Sequence, residues 1–369
     1  MNRKSFLSIF FIGGDLMKCA QKLKVFMCGF LSLAICIFAA YCVNTRAYNS
    51  FNIKNDVMYI SALSVMPDGI KRNEKSESET TTVETAKKQK KSSKSTDEKD
   101  TEKAEKVEPV NSGENTYHIS ERLLGDSKTN LDVVNSTPYD MDAVALINQK
   151  LPFEMKDTRQ VQVLIVHTHS CESYMDSDDG YYAESFYPRT TDNEKNVTAV
   201  GKVIADTLKE NSIGVVHCDT RHDYPSYDGA YSRSYDSISQ YLEKYDEIKV
   251  VLDIHRDSMT ADDMTKIKPT FNYKGKKAAQ VMIMTGYSED GSFPTWKENL
   301  SFALKLYDEC ESSYKGMMRP LNFGQFTYNM NVNSGSLLLE VGTDANTLDE
   351  ALRSGKMLGN ALSRVLQNS

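Results

Sequence analysis

Five short apolar runs recur along the chain from residue 161 onward. They are continuous rather than alternating, which predicts strands covered on both faces of a sheet. The runs are VQVLIVH (161–167), IGVVHC (213–218), IKVVLDIH (248–255), AAQVMIMTG (278–286) and SLLLEVG (336–342).

Amphipathic patterns with the period of a helix lie between these runs. Val197, Val200, Ile204 and Leu208 recur every three or four positions across residues 192–211. The alternation of strands and helices predicts an α/β domain with three layers and a mainly parallel central sheet. Similar helical patterns occupy residues 231–246, 296–315 and 347–367.

A different pattern precedes this domain. Residues 25–43, VFMCGFLSLAICIFAAYCV, contain no charge over 19 positions, close to the length of a membrane-spanning helix. Five Lys and Arg residues precede the segment and only Arg46 follows it closely, which predicts cytoplasmic residues 1–24 and an uncleaved single-pass anchor. A cleaved signal peptide is the alternative.

The segment after the anchor is polar and charged. Residues 71–110 contain no aromatic residue and no Leu, Ile or Met. Such a composition cannot bury enough apolar surface to offset the entropy of ordering, so residues 44–115 are predicted to be an extracytoplasmic segment with a disordered charged linker. The globular domain is then residues 116–369, with its core at 160–369.

Charge and cysteine usage exclude some functions. The net charge of −7 over 369 residues gives no indication of a nucleic-acid partner. Four of the seven cysteines lie in or beside the anchor. The remaining three, Cys171, Cys218 and Cys310, have the spacing of neither a disulfide framework nor a zinc knuckle.

Three predicted strands lead into a reactive side chain. VLIVHTH leads to His169, VVLDIH to His255 and SLLLE to Glu340. Because sites in α/β sheets form at the carboxyl ends of strands, these groups are expected to share one crevice. The two imidazoles are natural zinc ligands, although a histidine at a strand end can also be purely structural.

A catalytic zinc site with two histidines commonly takes a carboxylate as its third ligand. The residues alone leave Glu172, Glu184 and Glu194 open for this role. Glu194 also fits a capping box, TDNE, with Thr191 as the N-cap of the following helix.

Glu340 and Arg256 have further chemical roles to consider. A buried carboxyl with a raised pKa would make Glu340 a general base. Arg256, next to His255, could bind a substrate carboxylate or a developing oxyanion, or could instead pair with Asp253 or Asp257.

The stretch RHDYPSYDGAYSRSY is rich in Tyr, Asp and Arg and contains His222, Tyr227 and Arg233. Hydroxylated aromatic side chains suit the wall of a sugar- or peptide-binding site, so Tyr227 and Arg233 are candidates for binding substrate. The alternative is an exposed turn that leads into a helix. His217, inside a strand, is interpreted as structural.

Four segments together resemble the stage II sporulation protein P family: VLIVHTHSCESY, RHDYPSYDGAYSRSY, LDIHRDS and GSLLLEVGTDANT. The resemblance covers residues 116–369, and the anchor and linker are also consistent with it. It implies a wall-degrading enzyme of engulfment in a sporulating Gram-positive bacterium. It also implies a catalytic domain related to zinc-dependent N-acetylmuramoyl-L-alanine amidases.

The resemblance assigns roles by motif. IVHTHS places His169 at the first zinc ligand, with His167 at the position of a proline. EKNVTAVGKVI places Glu194 at the second ligand, and DIHRDS places His255 at the third. LLEVG makes Glu340 the catalytic base, and His222 and Arg256 are then expected to orient substrate or stabilise charge.

The function implied is a membrane-anchored, zinc-dependent peptidoglycan amidase that releases stem peptides, with possible endopeptidase activity. Cleavage of peptide cross-links as the main reaction, or an inactive wall-binding scaffold, are the alternatives. The resemblance further implies location in the mother-cell membrane, facing the intermembrane space, and the sporulation proteins D and M as partners.

Overall fold

The computed structural model describes residues 114–125, 131–156 and 160–368. The predicted anchor at 25–43 lies outside these ranges, as does the predicted linker at 44–115 apart from its last two residues. Within the described ranges, no helix combines the length and the apolar character needed to cross a bilayer.

Strands and helices alternate through most of this part of the chain. In order, the elements are β1 (Thr116–Arg122), β2 (Val133–Asn135), α1 (Ala143–Asn148), β3 (Val161–Val166), β4 (Tyr181–Ala183), α2 (Val197–Glu210), β5 (Gly214–His217), α3 (Ala230–Lys244), β6 (Val250–Asp257), β7 (Lys266–Tyr273), β8 (Lys276–Ala279), β9 (Val281–Gly286), α4 (Trp296–Ser313), β10 (Leu321–Gly324), a 3-10 turn (Met330–Val332), β11 (Ser336–Thr343) and α5 (Leu348–Gln367).

The central sheet has the strand order β2-β10-β9-β11-β6-β3-β5. Five of the six pairings in this sheet are parallel, and only β9 and β11 are antiparallel. The prediction of an α/β fold with a mainly parallel sheet is therefore confirmed.

Helices cover both faces of this sheet, which explains why its strands are apolar throughout. On one face, α2, α4 and α5 pack in one cluster with alternate strand residues such as Val163 and Leu252. On the other face, Ile238 of α3 packs with Leu164 and Val251. We call this second surface the α3 face.

A second sheet, with the order β4-β1-β7-β8, was not predicted. The run 278–286 was predicted to be one strand, but it divides at Gln280 between β8 of the second sheet and β9 of the central sheet. The Gln280 side chain accepts a hydrogen bond from Leu124 N at 2.7 Å and donates to Leu124 O and Gly316 O, each at 3.0 Å. These contacts fix the chain where it passes from one sheet to the other.

Helix α2 begins later than the sequence pattern predicts. Its N-cap is Asn196, whose side chain accepts a hydrogen bond from Thr198 N at 2.9 Å. The predicted cap at Thr191 is therefore wrong, because residues 192–195 form a turn ahead of the helix. Glu194 lies in this turn and is exposed.

A close contact between α2 and β3 gives a test of the packing. A Cβ atom on Gly201 would lie 2.5 Å from the His167 ring, which is held by Ile254 O at 3.0 Å and His217 Nε2 at 2.8 Å. Glycine to alanine normally favours a helix, but here we expect Gly201→Ala to destabilise the fold by about 1–3 kcal/mol through overpacking. Thermal unfolding measures the effect, with the exposed Lys202→Ala as the control. An unchanged Tm for Gly201→Ala would contradict this packing.

Candidate active site

Three neighbouring parts of the α3 face bring the predicted reactive groups together. His255 of β6 and Glu340 of β11 are opposite each other in the parallel ladder, and His169 lies in the turn after β3. Regular pairing is interrupted after Glu340, where the register shifts and Gly342 adopts a φ of +74°. Strand β6 continues to Asp257, so His255 lies within the strand and not at its end as predicted.

His169 is buried among aromatic rings. Its ring stacks on Tyr227 at 4.4 Å and an angle of 6°, and its centroid lies 5.4 Å from that of His255. Burial lowers the pKa of His169 to about 4. Its Nδ1 atom is buried with no hydrogen-bond partner in the described structure. The residue is thus a neutral imidazole, which is the form that binds metal ions.

His255 lies between two buried carboxylates. Its Nε2 is 2.9 Å from Asp253 Oδ1, although not in a hydrogen-bonding orientation, and its Nδ1 is 3.5 Å from Glu172 Oε2. Burial alone lowers the pKa of His255, but Asp253 and Glu172 raise it well above its ordinary value. The two carboxylates therefore strongly stabilise a positive charge at this position.

Glu172 is brought to His255 by a tight turn. Its N–H donates to His169 O at 3.1 Å, and its Oε2 accepts from Arg256 N at 3.2 Å. Burial acts to raise the pKa of Glu172, but hydrogen bonding to His255 and the charge of Arg256 lower it to about 2. Glu172 is therefore an ionised carboxylate at neutral pH.

The structure does not bring the other two candidate carboxylates to the histidines. Glu194 is exposed in the turn before α2, and its N–H donates to Asp192 Oδ1 at 3.0 Å. Glu184 is also exposed and accepts from Asn115 Nδ2 at 3.0 Å. The motif that placed Glu194 at the second ligand assumed a helix that begins earlier than α2 does.

Glu340 lies beside this cluster as a buried acid. Burial and the nearby Asp257 raise its pKa to about 8, and its Oε2 is buried with no hydrogen-bond partner in the described structure. Asp257 itself forms a buried ion pair with Arg319 at 2.8 Å. A carboxyl group with such a pKa exchanges protons near neutral pH, as a general base requires.

Arg256 has neither of the predicted roles. Its guanidinium donates to Ser173 O at 3.0 Å, to Pro188 O at 2.8 Å and to Asp257 O at 3.3 Å. These backbone carbonyls accept hydrogen bonds from the guanidinium N–H groups that were expected to bind substrate or a carboxylate. Arg256 therefore holds in place the turn that carries Glu172.

His222 is also structural, which corrects its predicted catalytic role. Its Nδ1 is 2.8 Å from His167 O, and its Nε2 is 2.9 Å from Ser237 Oγ. Because the ring is buried and both nitrogens have partners, no nitrogen is available to contact a substrate.

Of the two predicted substrate-binding residues, only Tyr227 lies on the surface of the site. Tyr227 is 49% exposed, stacks on His169, and has the Arg189 guanidinium 5.0 Å from its ring centroid. Arg233, near the start of α3, instead donates to backbone carbonyls of the loop before this helix, which corrects its predicted role. These carbonyls belong to His222, Ser226 and Asp228.

His167 points away from the site by strand alternation. It is fully buried, and both of its nitrogens contact protein, at Ile254 O and His217 Nε2. Burial, with a smaller contribution from His217, lowers the pKa of His167 to about 3. Of the two neighbouring histidines, His169 is the one that lies beside His255.

Two acids that the sequence interpretation missed support the site. Asp253 accepts hydrogen bonds from Thr168 N at 2.8 Å and Thr168 Oγ1 at 2.5 Å, besides lying next to His255. Asp223 accepts from Ser170 Oγ at 2.8 Å and pairs with Arg189. The spacing Asp-Ile-His in a strand could have indicated Asp253, because residues two apart share a face. No local pattern indicates Asp223.

The side chains around His255 can be compared with the ligands of a zinc site. In the described part of the chain, no three His, Cys, Asp or Glu side chains already form a group able to hold a metal ion. The donor types nevertheless fit zinc, since His169, His255 and Glu172 supply two imidazoles and a carboxylate. The 3.5 Å between His255 Nδ1 and Glu172 Oε2 is close to the roughly 3.3 Å expected between two ligands of tetrahedral zinc. Asp253 lies 2.9 Å from His255 Nε2, and carboxylates are common neighbours of metal-binding histidines.

Several solved structures are similar to part of this chain. One is the N-acetylmuramoyl-L-alanine amidase AmiC2 of Nostoc punctiforme, with 10% identity, 57% of this chain and 97% of that chain covered, and a TM-score of 0.32. Another is an N-acetylmuramoyl-L-alanine amidase from Clostridium difficile 630, with 14% identity, 57% and 97% covered, and a TM-score of 0.33.

Sequence comparison relates the chain to sporulation proteins. Stage II sporulation protein P of Bacillus subtilis (strain 168) is 28% identical over 232 residues, which are 59% of this chain and 54% of that protein. The chain thus spans about half the length of this curated relative. The profile of the stage II sporulation protein P family matches residues 46–363. Because that match covers most of the sequence, the chain belongs to the stage II sporulation protein P family.

Proposed function

We propose that this protein is a zinc-dependent peptidoglycan hydrolase of sporulation. The proposed reaction cleaves the amide between the lactyl group of N-acetylmuramic acid and L-alanine, as the resemblance of its motifs to amidases implies. The observation that carries the proposal is the burial of His169, Glu172, His255 and Glu340 together on the α3 face.

The proposed metal ligands are His169, Glu172 and His255. Glu172 replaces Glu194, because it lies next to His255 whereas Glu194 is exposed. When bound, zinc polarises the substrate carbonyl and promotes ionisation of water.

The chain's own residues supply the proton transfers. Glu340 Oε2 accepts a proton from the attacking water and returns it to the leaving amine. The negative charge of Asp253 beside His255 Nε2 favours a cation at His255, and Tyr227 covers the face of His169 and limits access of water to it. Arg256 acts indirectly, because it holds the turn that bears Glu172.

The cellular setting forms part of the proposal. Family membership supports a role in sporulation. The apolar segment at 25–43 supports a single-pass anchor. Its location in the mother-cell membrane, with the catalytic domain in the intermembrane space, is proposed on the resemblance. Sporulation proteins D and M are proposed as partners on the resemblance alone.

Product analysis tests the proposed reaction. Purified full-length protein, incubated with peptidoglycan, is expected to release stem peptides that begin with L-alanine, identified by mass spectrometry. Removing metal with a chelator should reduce release to the level of the buffer control, and adding zinc should restore it. Products that keep the muramyl–peptide bond would instead identify a cross-link endopeptidase. No release, together with no bound zinc, would contradict enzymatic activity and favour a scaffold.

A further inference from the structure

A concave site lies near the candidate active site. It has a volume of about 400 Å³ and opens between the loop after β9 and the loop after β10. This volume is within the range of about 300–1,000 Å³ for small-molecule sites. Gly286 permits the two loops to approach, because a Cβ atom there would lie 2.0 Å from Phe326 O. We call this cavity the acidic subsite; Glu289, Asp290 and Phe326 are among its lining residues.

A path of aromatic rings connects the acidic subsite to His169. The centroid distances are 5.4 Å from His169 to Tyr231, 5.3 Å from Tyr231 to Tyr328 and 4.9 Å from Tyr328 to Phe326. The ring of Phe326 is therefore at most about 16 Å from that of His169, a distance that about five extended peptide residues can span. The separation is therefore within the length of a short peptide.

The path is held in place by an unusual turn. Tyr328 and Asn329 both have left-handed backbone conformations, with φ of +39° and +59°, which are uncommon for residues other than glycine. The Asn329 side chain donates to Tyr231 O and to Ser234 Oγ, each at 2.9 Å. These bonds secure the loop after β10 against α3, so that Tyr328 stacks on Tyr231.

The charge of the cavity selects among ligands. Asp290 has a pKa lowered to about 2 by hydrogen bonds from Ser288 and Ser292, and Glu289 accepts a hydrogen bond from Tyr287 Oη at 2.7 Å. The residues that line the cavity include these two acids and no Lys or Arg. Two negative charges beside an aromatic ring favour a ligand that carries a cation on an apolar stem over a neutral sugar, which brings no charge to attract.

We infer that the acidic subsite binds the side-chain ammonium of a diamino acid in the stem peptide, with the aliphatic part of that side chain against Phe326. This inference rests on the proposed function, because it assumes a peptidoglycan stem as substrate. It assigns to the subsite the recognition of the peptide side of the cleaved bond.

Binding of two synthetic peptides to the full-length protein tests the inference. The probes are L-Ala-γ-D-Glu-L-Lys and the same peptide acetylated on the lysine side chain, measured by calorimetry. The free ammonium is expected to strengthen binding about three- to tenfold at low salt, as for partly exposed ion pairs. The preference should diminish at high salt because the charges are screened.

Two double variants provide the comparison. Glu289→Gln with Asp290→Asn should abolish the preference for the free ammonium. Asp262→Asn with Asp263→Asn should preserve it. The control changes an adjacent acidic pair in another exposed turn, where Asp263 likewise accepts a backbone N–H, from Thr265 at 3.0 Å.

Equal binding of the two peptides, or equal effects of the two double variants, would overturn the inference. So would tighter binding of a peptide-free muramyl saccharide that the Glu289 and Asp290 substitutions leave unchanged. Because binding is measured without turnover, the two proposals can fail separately. Selective peptide binding without amide cleavage would refute the proposed reaction, and cleavage without ammonium preference would refute the subsite.

Discussion

Glu340→Gln is expected to lower the rate of stem-peptide release by about 10²–10⁴-fold, the usual contribution of a general acid–base. The substitution keeps the size and shape of the side chain but removes its ability to accept a proton. Glu340 is only 4% exposed, and burial together with Asp257 raises its pKa to about 8. Release is measured as the initial rate of soluble peptide formation from purified peptidoglycan.

Stability provides the control for Glu340→Gln. Because the folded-state pKa of Glu340 is raised to about 8, the folded protein binds a proton that the unfolded chain loses near its ordinary pKa of 4.5. The free energy of unfolding of the metal-free wild type therefore falls as pH rises from about 4.5 to about 8. The glutamine variant has no carboxyl group at position 340, so its stability does not fall for this reason. At pH 7 the metal-free variant should unfold at the same temperature as the wild type or higher. A folded variant that keeps more than about a tenth of the activity would contradict the role of Glu340 as base.

Glu172→Gln is expected to weaken zinc binding by more than about 100-fold, since loss of even an outer partner of a metal ligand costs 10–100-fold. The reason is the position of Glu172 Oε2, 3.5 Å from His255 Nδ1 in a buried cluster. Titration of the purified protein against a competing chelator measures the affinity, and peptide release should fall in parallel.

Glu194→Gln is the matched comparison for Glu172→Gln. Both substitutions remove one charge from a glutamate that follows His169 in the sequence, but Glu194 is exposed and Glu172 is buried. Zinc affinity and activity should be unchanged in Glu194→Gln. The opposite result, in which only Glu194→Gln loses zinc, would show that the motif identifies the ligand and that the turn rearranges when metal binds.

Much of the central sheet could be predicted from the sequence. Continuous apolar runs indicate buried strands wherever helices cover both faces, and residues 161–166 and 336–343 are such strands. The period of Val197, Val200, Ile204 and Leu208 likewise indicates α2, because these four side chains form its buried stripe. His169, His255 and Glu340 followed from the positions of these strands.

The rest depends on contacts that leave no local pattern. Gln280 divides an apolar run between two sheets through hydrogen bonds to residues 124 and 316, far away in sequence. The choice of Glu172 over Glu194 depends on the turn at His169 and on Asn196 as the cap of α2. A polar side chain near the end of a strand can also form its hydrogen bonds with backbone carbonyls, as Arg256 does. The sequence does not distinguish this structural role from binding a substrate.

Crystals grown with zinc, measured at the zinc absorption edge, would locate the metal directly. We predict one anomalous peak bonded to His169, Glu172 and His255, with Glu340 close by but not bonded. A peak bonded to Glu194 or His167, or crystals of active protein with no zinc on the α3 face, would contradict the proposed hydrolytic centre.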